Sequence, residues 1–91
     1  MAETGLLALG KAARGTRAVV ARVDGTAATG RGLPPEELER RLLELGFMEG
    51  AEIEVLHEGP IGRDPIAVRV DQAVVALRRS EANAVLLSTR P

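Results

Sequence analysis

The apolar positions of this chain follow two different periods, and the switch between them outlines a fold. Leu38, Leu42 and Leu45 recur at helical spacing in a segment that opens with Pro34-Pro35-Glu36-Glu37. Proline suits a first helical turn and two glutamates there complement the helix dipole, so the pattern predicts an α-helix over about residues 35–45, ended by Gly46. Glu36 with Arg40, and Glu37 with Arg41, add acid-first pairs four residues apart, worth roughly 0.3 kcal/mol each. After Gly50 the period becomes two. Glu52-Ile53-Glu54-Val55 alternates until Leu56 breaks the pattern, which predicts a bulge or a change of covered face before His57. Ile66-Ala67-Val68-Arg69-Val70 alternates strictly and places Ile66, Val68 and Val70 inward. Gly59 to Pro65 is rich in turn formers and reads as the hairpin connection before it.

The remaining segments complete a mostly β chain. Arg17 to Val23 has the β-branched, partly alternating character of a strand that ends at the Asp24-Gly25 turn, and Thr26 to Gly32 reads as a loop. Upstream, Leu6 to Ala13 predicts a short helical lead-in whose length Gly5, Gly10 and Gly15 limit. Val74 to Leu77 forms another strand after the Asp71-Gln72 turn, and a polar turn from Arg78 to Asn83 leads to the last strand, Ala84 to Ser88. Phe47 and Met48 are expected to tuck under the helix end. Strands this short and closely spaced predict a small barrel, which disposes of exposed sheet edges. No repeat or composition shift divides residues 1–91, so one domain is expected.

Composition narrows the chemistry. The chain has 91 residues, no cysteine, tryptophan or tyrosine, one phenylalanine and one histidine. Disulfides, thiolate zinc sites and thiol nucleophiles are excluded, and the core must be aliphatic. A nucleophilic enzyme needs a base beside its nucleophile, and one histidine with two serines gives that little support, so the chain is read as a non-enzyme. The carboxylates of Glu36, Glu37, Glu39 and Glu44 read as the solvated flank of the helix. The glycines of residues 25–32 lack the lysine and hydroxyl residue of a phosphate-binding loop.

A net charge of −1 argues against a partner held mainly by phosphate charge, and a lone phenylalanine offers no aromatic platform for bases or for polyproline ligands. An acid near the N-terminus and the short apolar run there do not match a secretory signal, and no stretch reaches the length of a membrane span. A cytoplasmic protein without membrane insertion is expected. For metals, His57 is the single imidazole. It could capture zinc or ferrous iron weakly with acidic neighbours, chiefly between molecules, or stand as an exposed histidine on a strand.

Several ordered segments resemble one family. Arg41-Leu42-Leu43-Glu44-Leu45-Gly46-Phe47, Gly50 and the Glu52 to Leu56 strand, then Gly59-Pro60-Ile61-Gly62-Arg63-Asp64-Pro65-Ile66 and Ala76 to Ala82, are similar to the FeoA family of bacterial ferrous iron transport accessory proteins. The likeness covers roughly Leu38 to Leu87, and the N-terminal third matches mainly through the Arg17 to Val23 strand. The resemblance implies an SH3-like barrel of five or six strands with one inserted helix, acting without catalysis and with no required cofactor. It implies as partner the FeoB-type membrane iron permease, whose cytoplasmic part carries a G-protein domain, and a role in modulating iron transport.

On that reading the expected docking surface is the helix and its exit, Arg41, Glu44, Leu45 and Phe47, with Arg63 at the hairpin tip as a second candidate. A competing reading gives Leu42, Leu45 and Phe47 to the core, where they close the barrel. A different functional class, an RNA-binding barrel of the translation-protein type, is the alternative. Adjacent Leu86 and Leu87 must face opposite sides of their strand, so one is expected to be covered by the lead-in or by a second chain in a homodimer.

Overall fold

The computed structural model describes residues 6–30 and 32–89. Met1 to Gly5, which bear on the targeting-signal reading, and Arg31 of the Thr26 to Gly32 loop lie outside the described residues. Six strands form one antiparallel sheet: β1 (Leu6–Ala8), β2 (Arg17–Val23), β3 (Glu52–Ile61), β4 (Asp64–Val70), β5 (Ala73–Leu77) and β6 (Val85–Ser88). Their spatial order is β1-β6-β2-β3-β4-β5, with β1 and β5 at the edges. Helix α1 (Pro35–Glu44) is inserted between β2 and β3, and the one-turn helix α2 (Arg79–Ala82) between β5 and β6.

The sheet wraps an aliphatic core as expected, but among the described residues β1 and β5 do not pair with each other, so two edges remain that closure was expected to remove. Ile53 and Val55 of β3, Ile66, Val68 and Val70 of β4, and Val85 and Leu87 of β6 are all buried, and Leu38 and Leu42 of α1 close over them. Phe47 is fully buried and is among the largest side chains in the core. Transfer of such side chains out of water, roughly 1.5–3 kcal/mol for each large one, is the main source of stability in a chain without disulfides. The register of β3 against β4 shifts between Val55 and His57, so the break in alternation at Leu56 is a bulge.

Five local expectations are corrected. The lead-in is not helical: Leu6, Leu7 and Ala8 pair with Ser88, Leu87 and Leu86 of β6, and only Leu9–Lys11 makes a single 3-10 turn. A helix this short gains little from its own hydrogen bonds, whereas pairing satisfies the open side of β6. Leu87 is buried in the core, and Leu86, opposite Ala8 in the ladder, is half-buried. The β3–β4 connection is tighter than Gly59 to Pro65. Both strands run on to a two-residue turn, Gly62-Arg63, with φ of 66° and 62° at the two positions, as a hairpin of matching twist requires. Gly59 and Pro60 sit in a second register shift between Glu58 and Ile61. The polar turn from Arg78 to Asn83 contains α2, and Thr26 to Gly32 begins within a 3-10 turn, Gly25–Ala27. Of the apolar pair at the helix exit only Phe47 tucks under; Met48 is 58% exposed.

Candidate docking face at the helix exit

Helix α1 carries Glu36 and Glu37 in its first turn and Arg41 in its last, each complementing the dipole at its own end. Gly46, at φ 108°, ends it in the left-handed conformation that glycine adopts without strain. The exit is then stitched down by the backbone. Phe47 N donates to Leu42 O at 3.0 Å, Met48 N to Gly46 O at 2.8 Å and Ala51 N to Met48 O at 2.9 Å. Gly50 N reaches Val20 O at 2.8 Å, and Val20 N reaches Ala51 O at 3.0 Å, which ties the loop to β2. Glu39 fixes the other end of this face: its Oε2 accepts from Gly25 N at 2.7 Å, joining α1 to the 3-10 turn after β2.

Between α1 and β2 lies a groove of about 280 Å³, lined by Ala21, Val23, Leu43 and Phe47, with Arg22, Glu39 and Glu49 as its charged members. Leu43 is 50% exposed, and Met48 on the exit loop is more exposed still. An aliphatic surface flanked by charge, on a backbone held at both ends, is suited to seating an apolar side chain of a partner.

The predicted site residues fall in three places. Arg41 and Glu44 are exposed on the last turn of α1, and Leu45 is half-buried, packed against the core. Phe47 belongs to the core, as does Leu42, so it supports this face from beneath and does not offer a contact of its own. Arg63 is exposed but lies in the separate β3–β4 hairpin, where its carbonyl accepts from Arg79 Nε at 2.8 Å. The two residues that sequence reasoning passed over are Leu43 and Met48. A signal for Leu43 existed: it is the one leucine of the helix outside the Leu38, Leu42, Leu45 period.

His57 is exposed on β3 opposite Ala67, which offers it no ligand. Among the described residues no group of three or more His, Cys, Asp or Glu side chains could hold a metal ion.

The outer face of β2, β3 and β4 carries a wider depression of about 500 Å³ that includes Arg17, Arg69, Glu52, Glu54 and Asp71. Both arginines there pair with Glu54, Arg17 Nε at 3.6 Å and Arg69 through a direct hydrogen bond. Two cations sharing one carboxylate between further acids make a mixed surface, unlike the continuous basic track that single-stranded nucleic acid needs. Among the described residues no helix is long and apolar enough to cross a membrane.

Comparison with known proteins fits this geometry. A Porphyromonas gingivalis fusion of an Fe(2+) transport protein A with the transporter FeoB is 38% identical over 68 residues, which is 75% of this chain and 7% of that protein. The chain thus spans only a small part of the curated relative it matches. Stenotrophomonas maltophilia FeoA, an SH3 domain protein crystallised with zinc, superposes with a TM-score of 0.72 at 34% identity over 90% of this chain and 89% of its own. A FeoA-like protein from Clostridium acetobutylicum gives a TM-score of 0.75 at 26% identity over 94% and 88% of the two chains. The FeoA domain model matches residues 7–89, nearly the whole sheet with both helices, and the chain therefore belongs to the FeoA family with its SH3-like fold.

Proposed function

We propose that this protein is a cytoplasmic, non-catalytic accessory of ferrous iron uptake that docks on the cytoplasmic G-protein part of a FeoB-type permease and modulates transport. The observation that carries the docking mode is the groove between α1 and β2, with exposed Leu43 on the helix and exposed Met48 on the exit loop that Gly50 and Ala51 bond to β2. Arg41, Glu44 and Leu45 follow at the end of the same helix, Phe47 lies beneath the groove, and Arg63 at the hairpin forms a secondary contact. The family's link to ferrous iron transport supports the choice of partner. So does the relative in which the transport protein A and FeoB form one polypeptide, since fusion keeps two associating modules together. For a separate chain the same association must come from surface complementarity. No bound cofactor is required for this role. Zinc or ferrous iron is held, where it binds, weakly between molecules through His57.

The test is a binding titration between the full chain and the cytoplasmic domain of the permease. Leu43→Asp and Met48→Asp place charge where apolar contact is expected and should weaken binding by at least about tenfold, the loss of one hot-spot side chain. Reversal of charge at Arg41 and Glu44 should weaken it less, as flanking charges do, and Arg63→Glu reports on the secondary contact. Wild-type affinity in all of these variants would sink the assignment.

A further inference from the structure

Strand β5 (Ala73–Leu77) ends the sheet. It pairs with β4 from Val70 opposite Ala73 to Ile66 opposite Leu77 without a register shift, and the strand order stops there. Among the described residues no turn, loop or cap hydrogen bond reaches its open side. Sheet edges are normally blunted by shortness, charge, proline or a bulge. The other edge, β1, is only three residues long. β5 has five residues, Ala-Val-Val-Ala-Leu, with none of these guards, and Val74 is 61% exposed.

Charge at the two ends of β5 indicates what covers it. The strand begins after Asp71 and ends before Arg78, both exposed. A parallel partner of the same sequence would bring like charges together, whereas an antiparallel one brings the acidic end of each strand to the basic end of the other. The side chains between are all apolar, so neither strand brings a buried charge to the other. We infer that β5 is a self-association edge, pairing antiparallel with β5 of a second copy about a two-fold axis at Val75.

In that register Val74 lies opposite Ala76 of the second copy on the outer face, Ala73 opposite Leu77 on the inner face, and Gln72 opposite Arg78. The two sheets then continue into one. A contact this small belongs to the weak class of interfaces, with a Kd of order 10 μM to 1 mM.

Sedimentation equilibrium of the full chain, with chelator present to exclude metal bridging, tests this. The average mass should rise from 9.6 kDa toward twice that value as concentration approaches about 1 mM. Val74→Lys, at an exposed site where the monomer keeps its thermal transition, should weaken association at least about tenfold by placing like charges on the shared edge. Gln72→Glu should strengthen it, by about 2- to 30-fold, through two cross-strand pairs with Arg78. A mass that stays at 9.6 kDa throughout overturns the proposal, and so does association that Val74→Lys leaves unchanged.

Discussion

Arg79 and Glu58 form an ion pair at 2.9 Å, Nη2 to Oε2, with side chains only 17% and 22% exposed. Around this pair Arg79 uses nearly every donor it has. Its Nη1 donates to Gly10 O at 3.1 Å and Ala12 O at 2.8 Å, its Nε donates to Arg63 O, and its backbone N donates to Asp64 Oδ1 at 2.9 Å. One residue of α2 thereby ties the N-terminal segment to the β3–β4 hairpin. Arg79→Ala should cost about 2–4 kcal/mol, since it leaves a largely buried carboxylate without its cation and three carbonyls without this donor. Thermal unfolding followed by circular dichroism should show a fall in Tm of at least about 8 °C. Arg79→Lys keeps the charge but not the planar fork, and should recover less than half of the loss.

This hub also shows where sequence reading runs out. β2, β4 and α1 are legible because periodic burial is a local pattern, and Leu56 even marks its bulge. Arg79 was visible only as half of a basic doublet, because its partners lie as far as 69 positions away and three of them are backbone carbonyls, which every residue has. The lead-in strand escaped for the same reason: three residues carry no period, and their strand character comes from the open side of β6. Leu43 and Met48 could be read as apolar but not as exposed, since exposure depends on how α1 settles on β2.

The approach of Gly10 to α2 gives a sharper steric test. A methyl group built there would lie 2.1 Å from Asn83 Oδ1 and 2.3 Å from Arg79 O, distances that no Cβ tolerates. Backbone carbonyl and side chain would both have to move, and the Arg79 contacts to Gly10 O and Ala12 O with them. Gly10→Ala is expected to destabilise by about 1–3 kcal/mol, the range for overpacked sites, and chemical denaturation should show a lower midpoint. Gly32→Ser, in open space and without a positive φ, serves as the comparison and should lose less.

The contrast between Phe47 and Met48 separates core from docking face. Phe47→Ala removes a fully buried ring and should cost about 3–5 kcal/mol, whereas Met48→Ala at an exposed site should change stability by less than about 0.5 kcal/mol. Equal thermal shifts in the two variants would contradict the assignment of Phe47 to the core and Met48 to the surface.

Asp24 gives the fold a small pH dependence. Its carboxylate accepts from Thr26 Oγ1 at 2.6 Å and Thr26 N at 3.0 Å, which holds its pKa below the usual 3.8; the hydroxyl contributes most, then the amide. A carboxyl whose folded pKa is depressed contributes stability above its unfolded pKa and loses it as pH falls through the folded value. The stabilisation from Asp24 should therefore be complete at neutral pH and disappear below about pH 4. Carboxyl-carbon NMR titration should place the Asp24 midpoint below 3.8, and Thr26→Ala should move it upward by removing the hydroxyl donor.

Metal capture through His57 has a distinctive stoichiometry. With Ala67 opposite and no group of three ligating side chains among the described residues, one chain supplies too few donors to complete a tetrahedral zinc site. On the proposed capture between molecules, zinc at His57 takes donors from two chains, so calorimetry should give about one zinc per two chains, with sedimentation showing a doubled mass on zinc addition. His57→Ala should abolish both responses. Val74→Lys should leave the zinc-driven doubling in place, because β5 is not the surface that the metal joins. Stoichiometric zinc binding that survives in His57→Ala would remove His57 from any metal role.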